Sequence, residues 1–128
     1  MSTETRAPDA AGPDGPGPIR VAQVEIRPSE GLVLAAGRAL TLSVREFGCL
    51  VALATNAGAI VRREELYTRV WGGGLRPGDR SIDVYVHKLR SKLDEALPEW
   101  RYIHTHVGFG YRFAPEPSHP FHTSATAR

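Results

Sequence analysis

Apolar and polar positions change their period along the chain. Between Val21 and Leu42 the period is two: Val21, Gln23 and Glu25 alternate with Ala22, Val24 and Ile26, Pro28 to Gly31 interrupts, Leu32 to Leu34 resumes, and Gly37 and Arg38 punctuate before Ala39 to Leu42. Alternation puts successive side chains on opposite faces of a strand, so about three short antiparallel strands joined by tight turns are predicted. At Ser43 the period lengthens to that of a helix. Ser43 with Glu46 makes a capping-box signature, and Phe47, Leu50, Val51 and Ala54 recur at helical spacing until Asn56 and Gly58. A second helix is predicted from about Arg63, with Leu66 and Val70 on one face and Glu64 and Glu65 near the positive end of its dipole. Gly72, Gly73 and Gly74 stop it, leaving Gly72 to Gly78 as a loop. The third helix is predicted from Asp79 as N-cap to Glu95 or Ala96, ahead of Pro98. Tyr102 to Val107 then alternates as a strand, Gly108-Phe109-Gly110 turns, and Tyr111 to Phe113 returns. The class is α+β, in the order strands, three helices, hairpin.

Composition sets the bounds of this unit. The first eighteen residues hold four of the ten prolines and almost no bulky apolar side chains, and three more prolines follow from Pro115. Such segments cannot bury enough surface to offset the entropy of ordering, so residues 1–18 and 115–128 are expected to be disordered tails around one folded unit, Ile19 to Ala114. The single cysteine, Cys49, excludes an intrachain disulfide and reads as a small buried hydrophobe. No apolar run reaches the roughly 18 residues of a membrane span, and the N-terminus lacks the regions of a signal peptide, so a cytoplasmic protein is expected. The net charge is +2, but from Arg62 to Lys92 eight basic residues stand against four acidic ones. Charge alone does not separate a nucleic-acid surface from a solvated face.

The third helix carries more information. At 100° per residue Ile82, Val86, Leu89 and Leu93 fall within about 60° of one another, a seam that must face the core. The opposite side carries Arg80, Val84, His87, Lys88 and Ser91 with no carboxylate among them, and Asp83 lies to the side. Long cationic donors suit guanine edges and phosphates, and a methyl-bearing side chain suits the thymine methyl. A valine amid that polar face points to contact with something.

The run DRSIDVYVHKLRSKL, preceded by REELYTRVWG and followed by YIHTHVGFGYRF, resembles the effector domain of the OmpR/PhoB class of bacterial response regulators. The resemblance covers nearly all of Val21 to Phe113, including the LTLSVREF start of the first helix. It implies a winged helix-turn-helix: a four-stranded N-terminal antiparallel sheet, three helices and a C-terminal β-hairpin wing. It also implies sequence-specific binding of double-stranded DNA for transcription regulation, with helix 79–95 in the major groove and wing 102–113 on the adjacent backbone or minor groove. Arg80, Val84, Lys88 and Arg90 match positions that touch DNA. Ser81, His87 and Ser91 extend that surface, and Thr105, Gly108, Gly110 and Tyr111 are the candidates on the wing. Gly73, Gly74, Leu75 and Arg76 match the loop through which such regulators touch RNA polymerase. Pairing on directly repeated half-sites is a further implication. The chain has no room for a receiver domain beside this one, so it is read as a free-standing regulator or the effector half of a longer chain.

One position departs from the family. Its wings commonly carry an arginine just before the Gly-x-Gly-Tyr turn, where it enters the minor groove, and here that residue is Val107. His106 and Arg112 are the neighbours that carry charge; otherwise the wing packs on the backbone, with Thr105, Gly108 and Gly110 lending N–H donors. Other chemistry is not expected. His104 and His106 form a His-x-His pair, with His119 and His122 in the tail, but zinc needs three or four ligands on a shaped scaffold. There is no nucleophile elbow, phosphate-binding glycine loop or catalytic carboxylate pair, so neither an enzyme nor a cofactor is implied. Trp71 and Trp100 read as packing residues at helix ends. The competing class is a protein-interaction module that holds a partner through Val84 and Tyr85; a metal-dependent hydrolase would need bound zinc.

Overall fold

The computed structural model describes residues 17–118, so the tail readings for 1–16 and 119–128, with His119 and His122, lie outside the described residues. One folded unit was expected from Ile19 to Ala114, whereas the chain divides after Thr41 into two compact units. The first is a sheet in which every strand pairs with its sequence neighbour, so its backbone hydrogen bonds are satisfied locally.

That sheet has four strands, β1 (Ile19–Val21), β2 (Val24–Arg27), β3 (Leu32–Ala35) and β4 (Arg38–Ala39), in the order β1-β2-β3-β4. Four is the number the family resemblance implies, one more than the alternation suggests. The apparent run Val21 to Ile26 is broken because Ala22 adopts φ 51 and reverses the chain, bringing Val21 opposite Val24. Tight hairpin turns need positive φ, and an alanine there leaves no signal in the sequence. Val24, Ile26, Val33 and Ala35 are buried on one face. Glu25 accepts a 2.8 Å bond from Arg27 and lies 3.5 Å from Arg20.

The second unit runs α1 (Val44–Thr55), β5 (Ile60–Arg62), α2 (Arg63–Trp71), α3 (Ser81–Ala96), β6 (Trp100–His106) and β7 (Gly110–Pro117). The predicted capping box is present: Ser43 Oγ accepts from the Glu46 N–H and Glu46 Oε1 from the Ser43 N–H. Gly72, at φ 89, closes α2. The start of α3 differs from expectation. Arg80, not Asp79, is the N-cap, and Asp79 Oδ1 accepts from the backbone N–H and hydroxyl of Ser81, covering the first orphan donor from one position further out.

β5 was not foreseen; it pairs with β7 and completes a three-stranded sheet ordered β5-β7-β6. β7 also runs to Pro117, past the expected boundary at Ala114. Its pairing with β5 ends at Arg112, so beyond it β7 has β6 alone beside it, an edge position that tolerates proline. The core of this unit is built from Cys49, Leu50 and Leu53 of α1, Leu66 of α2, Ile82, Val86, Leu89 and Leu93 of α3, and the stacked rings of Tyr102 and Phe113. The predicted α3 seam is thus buried along its whole length, each side chain contributing about 1.5–3 kcal/mol. Burial pushes the Cys49 thiol up to about 12, which keeps it protonated and unreactive.

Candidate nucleic-acid interface

Because the seam faces inward, α3 turns Arg80, Val84, His87, Lys88 and Ser91 outward. All five are exposed, Val84 at 47 %. Lys88 does not hang free in solvent: its ammonium sits 5.2 Å from the centre of the Tyr85 ring. Tyr85 leans on Trp71, which stacks on Tyr67 at 4.9 Å and lies under the Arg45 guanidinium at 4.7 Å. An aromatic row therefore ends at the cation in the middle of the outward face, and only the packing role of Trp71 was read from sequence.

An ion pair between the half-exposed Lys92 and the buried Glu46 ties α3 to α1 from behind. Lys92 donates to Glu46 Oε1 at 2.6 Å. Burial works to raise the Glu46 carboxyl, but the bonds from Lys92 and Ser43 together outweigh it and hold the group below the usual carboxylate range.

The wing is arranged differently. Val107 and Phe109 flank Gly108 at its tip and are 88 % and 69 % exposed. Arg112 and His106, the two neighbours of Val107 named above, face each other: Arg112 Nε donates to His106 Nε2 at 3.1 Å, and its Nη2 donates to Glu116 at 3.0 Å. Thr105 is exposed and accepts from Arg90 Nη1 at 3.0 Å, while Arg90 is half-buried with its Nε sealed from solvent. Gly110 and Tyr111 are not presented to a ligand. A Cβ on Gly110 would stand 2.1 Å from the Val61 carbonyl oxygen, so the glycine permits close approach of β5. Tyr111 is buried, with its hydroxyl donated to Asp83 Oδ1 at 2.6 Å. These two residues serve packing between the strands and α3, a correction to their expected place among the contacts. In the loop before α3, Gly73, Gly74 and Arg76 are exposed and Leu75 is half-buried.

Asp83 anchors a network the sequence did not reveal. Arg63 of α2 grips its carboxylate with two bonds, Nε to Oδ1 at 3.0 Å and Nη2 to Oδ2 at 2.7 Å, and also donates to the Asp79 carbonyl. The Arg63 guanidinium, with help from the Tyr111 hydroxyl, holds the Asp83 carboxyl below its ordinary range. Burial, reinforced by the Asp83 carboxylate, pushes the Tyr111 phenol up to about 12. Among the described residues no group of three or more histidine, cysteine, aspartate or glutamate side chains is placed to hold a metal ion, and no helix is long and apolar enough to cross a membrane.

The sequence profile of the family described as "Transcriptional regulatory protein, C terminal" matches residues 37–113, from the last turn of the first sheet to Phe113. The chain belongs to this family. The assignment bears out the OmpR/PhoB-type resemblance, and the family is one of transcription regulators rather than an enzyme class. Among curated relatives, the sensory transduction protein RegX3 of Mycolicibacterium smegmatis is 33 % identical over 104 residues, covering 81 % of this chain and 45 % of that protein. The chain spans less than half the length of the first curated relatives it matches. Among solved structures, the RstA DNA-binding domain of Klebsiella pneumoniae in complex with the RstA box is 35 % identical, with a TM-score of 0.69, covering 77 % of this chain and 98 % of that one. The response regulator DrrB of Thermotoga maritima, an OmpR/PhoB homolog, is 30 % identical with a TM-score of 0.66, covering 79 % of this chain and 46 % of that one. The winged-helix architecture is that of these domains.

Proposed function

We propose that this chain binds double-stranded DNA in a sequence-specific manner to regulate transcription, with α3 in the major groove and the β6–β7 wing on the adjacent backbone or minor groove. The observation that carries the reading is the outward face of α3: Arg80, Val84, His87, Lys88 and Ser91 are exposed together on a helix whose opposite side is wholly buried. A rigid helix presenting cations and a methyl-bearing side chain, with no carboxylate among these five, matches what the major groove offers; the exposed Glu95 lies one turn beyond Ser91, near the end of the helix. The RstA domain, solved on its own DNA box, supports it from a relative of the same architecture. Lys88 and Arg80 are the base-edge or phosphate donors, Val84 the apolar reader, and Ser81, Ser91, His87, Arg90, Thr105 and Gly108 the surrounding contacts. On the same reading Gly73, Gly74, Leu75 and Arg76 meet RNA polymerase, copies pair on directly repeated half-sites, and the protein acts in the cytoplasm on the nucleoid.

Selecting duplexes from a random pool with the purified chain tests this directly. One enriched sequence family, bound with an affinity that falls steeply as salt rises, is the expected result, since each phosphate contact releases counterions. No enrichment together with a flat salt response overturns it and favours a protein partner on Val84 and Tyr85.

A further inference from the structure

The wing is tied to α3 at two heights, and both ties land on the same rung of the hairpin. Thr105 of β6 and Tyr111 of β7 are directly paired across the ladder. The Tyr111 hydroxyl reaches Asp83 in the first turn of α3, and Thr105 receives Arg90 from seven residues further along, about 10 Å up the helix axis. A single attachment would leave the hairpin free to pivot, whereas two attachments separated along the axis fix its angle. The lower tie is itself braced, because Arg63 holds the Asp83 carboxylate with both prongs of its guanidinium. Arg63 follows β5 directly, and Val61 of β5 pairs with Tyr111 of the central strand, so the brace starts where the strand beside the rung ends.

Resting on the DNA-binding reading above, we propose that Arg63, Asp83 and Tyr111 are positioning residues that set the angle between the wing and α3. The DNA flank beneath the wing then adds affinity only while this rung is held. None of the three has to touch DNA. Asp83 lies to the side of the outward face, Tyr111 is buried, and Arg63 spends its donors on Asp83 and the Asp79 carbonyl. Their effect is to make two separate contacts, one per groove, act as one.

The test uses a duplex selected as above and the same duplex shortened from either end to remove the flank under the wing. Wild type should bind the full duplex roughly tenfold more tightly than the shortened one, the equivalent of about 1.4 kcal/mol. Tyr111→Phe, which keeps the ring and loses only the bond to Asp83, should reduce that ratio to about twofold while leaving affinity for the shortened duplex unchanged. Arg63→Lys, which keeps the charge but loses the two-pronged grip, should act in the same direction and stands in if the first variant does not fold by circular dichroism. Variants that keep the wild-type ratio, or that lose affinity for both duplexes equally, overturn the proposal. A wild type with no flank preference overturns it too. Failure of the pool to yield any enriched duplex is a distinct outcome, since it sinks the DNA-binding reading beneath.

Discussion

The two surfaces that stand beside each other in the second unit treat their charges in opposite ways. α3 turns cations outward, with Lys88 exposed over Tyr85 and Arg80, 79 % exposed, at a loose 3.8 Å from Asp83, whereas the wing holds its arginine closely, with Arg112 shared between His106 and Glu116 and the tip left to Val107 and Phe109. A cation facing water can exchange its hydration for a phosphate or a base edge at little cost. A cation already paired must first give up its partner. On the proposed DNA-binding reading, charge recognition falls to the helix and shape or backbone contact to the wing. That division also makes the rung that joins them the place where disruption is felt most.

The largest expected effect is therefore at that join, and it is seen in stability. In the folded chain the Tyr111 phenol titrates at about 12, against an ordinary value of 10.0. Between those values the unfolded chain has released this proton and the folded chain has not. The contribution is complete below pH 10 and is lost as pH climbs towards 12, amounting to about 2–3 kcal/mol. Denaturant melts of wild type against Tyr111→Phe across pH 9 to 12 should show the gap between them changing by that amount, and parallel curves would detach Tyr111 from the ionisation.

Within the helix, Lys88→Ala should weaken specific binding by roughly 1–3 kcal/mol and relax preference at one or two base pairs. A uniform loss over all sequences would make Lys88 a phosphate contact instead. Arg90 belongs to both regions, and its replacement by Ala sharpens the comparison at a cost of about 1–2 kcal/mol for the full selected duplex. If it reaches phosphate as well as Thr105, the salt slope should fall by about one unit. If it only ties the rung, the slope stays and the flank preference disappears.

What could be read before the structure follows from the range of each interaction. The α3 seam was legible because Ile82, Val86, Leu89 and Leu93 repeat within one helix, and the capping box because Ser43 and Glu46 are three residues apart. β5 was not, since three residues show no period and their partner strand lies some fifty residues on. The turn at Ala22 was hidden because nothing in an alanine announces positive φ. The grip of Arg63 on Asp83 and the bond from Tyr111 span separations of 20 and 28 residues, and only tertiary structure brings such groups together. Gly110 and Tyr111 were placed among the DNA contacts because they sit in the turn motif. Their burial shows that a motif can encode how a wing is held rather than what it touches.

The smallest expected effect tests the wing tip itself. A narrow A·T-rich minor groove has an enhanced negative potential that attracts an inserted arginine, and a valine cannot exploit it. Wild type should therefore distinguish only weakly between two selected duplexes that differ in base composition under the wing alone. Val107 is 88 % exposed, so a longer side chain meets no packing obstacle there. Val107→Arg should tighten binding by about 0.5–1 kcal/mol and introduce a preference for A·T pairs in that flank, because the guanidinium gains Coulomb attraction and acceptors on the groove floor. Affinities for the two duplexes, with and without the substitution, provide the measurement. Strong discrimination by wild type, with nothing added by the arginine, would mean that another group already enters the groove. The candidates are His106 and Arg112, and either would have to release the bond that now joins them. Glu116→Gln, which weakens the hold on Arg112, should in that case increase the discrimination further, and should leave it unchanged if the tip reads shape alone.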